Sequence, residues 1–76
     1  MPKAPKRIQS IERGFTILEA LSMSTTPMTL GLLSEQVQLN KTTVHGLVST
    51  LCSLGYVVKG EEGYSLGLRL RELSRP

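Results

Sequence analysis

The stretch of sequence that decides the fold is NKTTVHGLVSTLCSLGYVVKGEEGYSL, residues 40–66. Its first half places apolar residues at helical spacing, and Asn40 is a residue type that caps helix N-termini well. Gly55 stands where the residue that ends a helix adopts the left-handed conformation. From Tyr56 onwards β-branched and aromatic residues replace the helical spacing, and residues 60–63 carry a glycine at each end. The stretch therefore predicts a helix followed by a β-hairpin with a four-residue loop.

A first helix is predicted from Ser10, a good N-cap residue, up to the Ser/Thr-rich break at residues 22–27. Its apolar face is wider than a small three-helix core needs. We expect three of its residues to serve the core, namely Ile11, Phe15 and Leu18. Ile17 and Leu21 lie beside them, and they either join the core or partly face a second subunit.

A second helix is predicted to follow Thr29, with Leu30, Leu33 and Val37 at helical spacing. After the hairpin, residues 68–74 return to a short helical pattern. The order helix, helix, helix, hairpin, helix predicts a mainly α fold with a small β-hairpin, which is the winged helix-turn-helix plan. We therefore divide the chain into a basic flexible arm (1–9), a winged helix-turn-helix domain (10–67) and a terminal helical segment (68–76).

Composition narrows the class of protein. The 76 residues carry nine Lys/Arg against six Asp/Glu, a net charge of +3, which mildly favours a polyanionic partner such as DNA. One cysteine and one histidine provide neither a disulfide nor a zinc cluster. The sequence shows no nucleophile–base pair, no paired catalytic carboxylates and no phosphate-cradling loop. We therefore expect no enzyme, no cofactor and no membrane segment, and a cytoplasmic, nucleoid-associated protein.

The third helix is the predicted reading element. Its face opposite the apolar stripe is short, polar and almost uncharged, as a helix seated in the major groove requires. The residues that we expect to contact DNA are Asn40, Lys41, Thr42, Thr43, His45, Gly46 and Ser49 on this helix, Lys59 on the hairpin, and Lys6, Arg7 and Arg13 near the N-terminus. The alternatives are that the face is only solvated, that Asn40 and Thr43 only cap the helix, and that the arm only solubilises the chain.

Four runs of residues carry a family resemblance. Residues 10–18 (SIERGFTIL) resemble the opening of the IclR family of bacterial transcription regulators, and residues 40–47 (NKTTVHGL) resemble its recognition helix, usually PKSTVHRL. Residues 54–57 look like the end of that helix and the first wing strand. Residues 64–73 look like the second wing strand running into the linker helix. The resemblance covers nearly all of residues 10–73 in the correct order.

The resemblance implies a homodimer on a roughly palindromic double-stranded operator. Family members usually carry a larger C-terminal domain that binds a small metabolite, so residues 68–76 are expected to begin the linker helix to an effector-binding domain that this sequence lacks. Two positions depart from the family pattern. Gly46 replaces the usual Arg, and Leu32 replaces the usual Glu of a capping box with Thr29.

Two further expectations concern the hairpin and a rival function. The loop carries Glu61 and Glu62, two carboxylates that suit a minor groove poorly, so we expect Lys59 rather than the loop to contact phosphate.

The rival function is a winged-helix module that binds another protein, because a fold does not determine a function. An apolar outward face on the third helix would favour that rival, and the sequence shows a hydroxyl-rich face there.

Overall fold

The computed structural model describes residues 7–75. Its elements are α1 (Gln9–Met23), α2 (Leu30–Val37), α3 (Lys41–Leu54), β1 (Val57–Gly60), β2 (Gly63–Leu66) and α4 (Leu68–Leu73). This order of three helices, a two-stranded antiparallel hairpin and a terminal helix confirms the predicted winged helix-turn-helix. Among the described residues, no helix has the length and apolar character that a membrane crossing requires.

The start of α1 differs from the prediction. The N-cap is Ile8, not Ser10, and no side chain caps the helix. The backbone carbonyl of Ile8 accepts hydrogen bonds from the N–H groups of Ile11 and Glu12, at 3.1 and 3.2 Å. The helix also extends through Met23, into the predicted break. Backbone hydrogen bonds alone therefore begin this helix, and the serine falls inside its first turn.

The core is formed by α1, α2, α3 and the hairpin. Its buried residues are Ile17, Leu18, Leu21, Met28, Leu33, Val44, Val48, Val57 and Tyr64. The expected core of α1 was wrong at two positions, because Ile11 is 56% exposed and Phe15 is 61% exposed. Ile17 and Leu21, the alternative subunit-facing pair, are buried instead. The helix is thus rotated so that one side of its apolar arc packs on the core and the other side is open to solvent.

Local caps explain the next two helices as predicted. The Thr29 Oγ1 atom accepts a hydrogen bond from the Leu32 N–H at 3.2 Å, which caps α2. The turn to α3 places Gln38 in the left-handed region, with φ of 58°. There the Ser34 hydroxyl donates a hydrogen bond to the Leu39 carbonyl. These bonds define a short, well-anchored turn between the two helices.

The hairpin is tighter than expected. Gly60 pairs with Gly63, so the loop has two residues, Glu61 and Glu62, not four. The backbone of Met28, just before α2, bonds to Tyr64 in both directions, at 2.9 and 2.8 Å. Gly63 has a φ of 140°, and a Cβ there would lie 2.5 Å from the Met28 carbonyl oxygen. The glycine therefore allows the strand β2 to lie against the residues that lead into α2.

Candidate nucleic-acid interface

The N-terminus of α3 is fixed by a local capping residue. The Asn40 Oδ1 atom accepts a hydrogen bond from the Thr43 N–H at 2.8 Å, and the Asn40 backbone is extended, as an N-cap requires. Gly55 ends the helix with φ of 90°. Both predicted caps are confirmed. Since the cap satisfies one of the first N–H groups, the others remain oriented outward along the helix axis, where they favour an anion.

The predicted outward face of α3 is open. Thr42, Gly46, Ser49 and Ser53 are all exposed, and His45 beside them is exposed as well. The opposite side carries Val44 and Val48, which are fully buried. Thr43 is half-buried and belongs to the cap rather than to the open face. The side chains of the open face are mostly short and uncharged, so the helix backbone itself is accessible from outside.

Gly46 lies in the middle of this face, and no packing contact within the domain requires a glycine there. A Cβ atom at this position would meet nothing within 4 Å. Glycine in a helix interior costs about 0.8–1.0 kcal/mol relative to alanine. The protein therefore carries a destabilising residue that its own packing does not require. The Thr50 hydroxyl, one turn further on, donates a hydrogen bond to the Gly46 carbonyl at 3.1 Å. Residue 46 lies inside the continuous helix Lys41–Leu54.

Lys41 lies next to the N-terminus of α2, a neighbourhood that no sequence pattern indicated. A Cβ atom at Gly31 would lie 3.8 Å from the Lys41 Cε atom, so the lysine stem borders the space that a side chain at residue 31 would occupy. A cation at this position adds to the partial positive charge of the α2 N-terminus. The first turns of α2 and α3 therefore combine into one electropositive area.

The positions of the acidic residues also favour the open face of α3 as a surface for DNA. Between Glu35 and Glu61 the chain contains no Asp or Glu, and its only charged residues there are Lys41 and Lys59. This stretch includes all of α3 and β1. The positions of the acids along the sequence are the signal that could have revealed this gap before the structure was known. Phosphates approaching α3 therefore meet no carboxylate on this helix.

The other predicted contact residues lie in separate elements. Lys59 is exposed on β1, and its Nζ atom is 5.9 Å from the centre of the Tyr64 ring on the paired strand. Arg13 is half-buried on α1. Arg7 is exposed and forms an ion pair with Glu12 at 3.1 Å. Lys6 lies outside the described residues. The predicted contact residues of α3 thus share one helix, whereas Lys59 lies on β1, Arg13 on α1 and Arg7 just before α1.

Comparisons with known proteins match this architecture. Curated relatives include the HTH-type transcriptional regulator KdgR of Dickeya chrysanthemi, 40% identical over 77 aligned residues, and XynR of Escherichia coli K12, 36% identical over 67. These alignments cover 96% and 86% of this chain, but only 24% and 27% of the relatives. The chain thus spans about a quarter of the length of the curated relatives it matches.

Solved structures give the same result. A protein from Rhodococcus sp. RHA1, described as a transcriptional regulator, superposes with a TM-score of 0.76 at 27% identity, over 88% of this chain and 26% of its own. An IclR-family protein from Rhodococcus sp. superposes with a TM-score of 0.72 at 32% identity, over 93% and 32%. The model of the IclR helix-turn-helix domain matches residues 10–61, more than half of the chain. The chain therefore belongs to the IclR helix-turn-helix family.

Proposed function

We propose that this domain recognises a specific double-stranded DNA sequence by inserting the N-terminal half of α3 into the major groove. One observation carries the proposal: the exposed face of α3 is short, polar and free of acids, and it is contiguous with Lys41. The major groove admits an α-helix, and hydroxyl groups can both donate to and accept from base edges. Relatives that are transcriptional regulators support DNA as the partner.

The contact residues divide into two roles in this proposal. Only the N-terminal part of a recognition helix usually reaches base edges. We assign Lys41, Thr42, His45, Gly46 and Ser49 to that part. The Asn40 cap and the Thr43 N–H orient the helix end, beside which a phosphate would lie. The remaining cations, which we assign to phosphates, are Lys59, Arg13, Arg7 and Lys6.

We further propose that Gly46 lets the helix backbone approach the DNA more closely than a side chain would allow. The absence of any internal contact for a Cβ at this position supports the idea. Gly46→Arg is the test. We expect it to change which duplexes are preferred. If the variant keeps the same preference and only binds every sequence more tightly, Gly46 has no role in seating the helix.

The wider arrangement is also a proposal. We propose a homodimer on a roughly palindromic operator, with the two α3 helices about 34 Å apart, one turn of the duplex. In this arrangement residues 1–9 supply the basic arm, although Ile8 and Gln9 already form the start of α1. Residues 10–67 form the DNA-binding domain, and residues 68–76 begin a linker to an effector-binding domain. The greater length of the relatives, of which this chain covers 24% and 27%, supports this division. We place the protein in the cytoplasm, on the nucleoid.

Selection of bound sequences from random duplex DNA, at a stated salt concentration, tests the main proposal. We expect one enriched motif with twofold character. In a matched pair of variants, Ser49→Ala should alter the enriched motif, whereas Ser53→Ala on the same face should not, because it lies one turn further from the reading end. Without any enriched motif the proposal fails, and the rival protein-binding module gains support.

A further inference from the structure

The side chains of α3 limit which bases this helix can read. The helix carries Lys41 and His45 but no Arg, Asn, Gln, Asp or Glu. In the major groove Asn and Gln pair with adenine, Asp and Glu accept from cytosine, and hydroxyl groups serve any base. Asn40, just before the helix, already uses its Oδ1 atom to accept from the Thr43 N–H. Lys41 thus gives α3 a polar partner for guanine, whereas adenine and cytosine have no such partner on this helix.

Gly46 forms a notch in the middle of the open face. The residue is exposed, and among residues 7–75 no atom lies within 4 Å of where its Cβ would be. Thr42 lies one turn before the glycine, and Ser49 lies about one turn after it on the same face, since residues three and four apart are neighbours on a helix. Their side chains therefore border a space the size of the missing side chain, and this space is open to the outside.

The notch offers no hydrogen bond to a base edge. Residue 46 lies within the continuous helix Lys41–Leu54, where intrahelical hydrogen bonds engage the backbone N–H and carbonyl groups. The Gly46 carbonyl also accepts a hydrogen bond from the Thr50 hydroxyl at 3.1 Å. What the glycine presents to the outside is therefore its Cα hydrogens and room for a small apolar group.

A base opposite such a notch is selected by shape rather than by hydrogen bonding. Thymine alone carries a C5-methyl group in the major groove, and proteins read this group by apolar contact. The methyl group would fill the notch beside the Gly46 Cα atom. Cytosine would leave the notch empty, and the N7 acceptor of a purine would lose water there without gaining a donor, which is unfavourable.

We infer that Gly46 is a thymine-reading position: the C5-methyl group of one thymine in each half-site packs against the Gly46 Cα atom, between Thr42 and Ser49 along the helix. The inference rests on the proposed function and deepens it, because it names the base that this part of α3 selects. The arginine that is usual in the family at this position would fill the notch, so the preference belongs to this chain's own sequence.

Deoxyuridine in place of thymine tests the inference, because the two bases differ only by the C5-methyl group. The probe is the best-bound duplex from the selection described above, in which each thymine of a half-site is replaced in turn, symmetrically in both half-sites. We expect one thymine position at which the replacement raises the Kd of the 76-residue chain by about fourfold per half-site, the effect of one buried methyl group.

The ratio of the Kd values for the deoxyuridine and thymine duplexes isolates the methyl contact, since the same protein binds both duplexes and its folding stability cancels. Gly46→Ala fills the notch with a methyl group of its own. The ratio should therefore fall from about four per half-site to about one or below. Ser53→Ala is the matched control. It lies on the same face about one turn beyond Ser49, and it should keep the ratio of the original chain.

5-Methylcytosine gives a second readout of the same contact. Replacement of the critical T·A pair by C·G should weaken binding, and methylation of that cytosine at C5 should restore about fourfold of the affinity per half-site. The Gly46→Ala variant should gain nothing from this methylation, because its notch is already filled.

Three results would overturn the inference: a selected motif without thymine in its half-sites, the same Kd ratio for the original chain and the Gly46→Ala and Ser53→Ala variants, or no gain in affinity on methylation of the cytosine. Each of these leaves an enriched motif, and with it the DNA-reading proposal, in place. A selection that enriches no motif defeats the proposed function and the inference together, so the two failures are distinguishable.

Discussion

The backbone of Gly67 touches the backbone of Gly55: a Cβ atom at residue 67 would lie 2.5 Å from the Gly55 carbonyl oxygen. The Gly67 N–H also donates a hydrogen bond to the Tyr56 carbonyl at 2.8 Å. The stem of Arg69 covers the same place, with its Cδ 3.0 Å from where a Cβ of residue 55 would be. The end of α3 and the beginning of α4 are thus joined by close backbone contact, which sets the direction of α4 relative to the reading helix.

Gly67→Ala should therefore destabilise the domain. The nearest atom is a backbone oxygen that cannot rotate away, so we expect a loss of about 1–3 kcal/mol. In a domain of this size each kcal/mol lowers the melting temperature by about 4–8 °C, which thermal unfolding followed by circular dichroism detects. Gly60→Ala is the control, since its Cβ would lie 3.8 Å from its nearest neighbour, the Gly63 carbonyl oxygen. Equal melting temperatures for the two variants would contradict the close contact at Gly67.

Asn40 allows helix capping to be separated from DNA contact. Asn40→Ala removes the acceptor of the Thr43 N–H and should cost about 1 kcal/mol of stability. Asn40→Asp keeps an equally good cap and should leave the melting temperature close to that of the original chain. Its carboxylate would nevertheless stand beside the phosphate that we place at the α3 N-terminus, so duplex binding should weaken. Unchanged binding by Asn40→Asp would show that this helix end lies away from the DNA.

The order of elements could be predicted because its signals are local. Thr29, Asn40 and Gly55 act on the few residues beside them, and their caps are present as predicted. The orientation of α1 could not be predicted in the same way. Helical spacing shows that the apolar arc is wide, but which part of the arc is buried depends on the elements packed against it. The structure buries Ile17 and exposes Phe15 for that reason.

The candidate site could be predicted to a similar degree. The open face of α3 follows from helical periodicity within one element, so the residues on it could be placed from sequence alone. The position of Lys41 against Gly31 depends on how two helices pack, and no pattern within either helix encodes it. The two-residue hairpin loop was also missed, because glycines at both ends of residues 60–63 fit either strand ends or loop residues.

Lys59 is predicted to be the phosphate contact of the hairpin. Lys59→Ala should weaken binding to all duplex sequences alike and reduce the slope of log affinity against log salt by about 0.9, the value for one phosphate. The carboxylates of the loop are predicted to stay away from the DNA. The double change Glu61→Gln with Glu62→Gln should therefore leave the selected motif unchanged. A new sequence preference in that double variant would show that the loop reads bases.

The N-terminal arm is predicted to supply affinity without specificity. Deletion of residues 1–7 should flatten the plot of log affinity against log salt by about 0.9 for each phosphate that the arm neutralises, while the preferred sequence stays the same. Glu12→Gln in the intact chain is the control. It removes the partner of Arg7, which lies 3.1 Å away, and should raise affinity at low salt because the guanidinium becomes available to a phosphate. If the deletion leaves the slope unchanged, the arm touches no phosphate and serves only to keep the chain in solution.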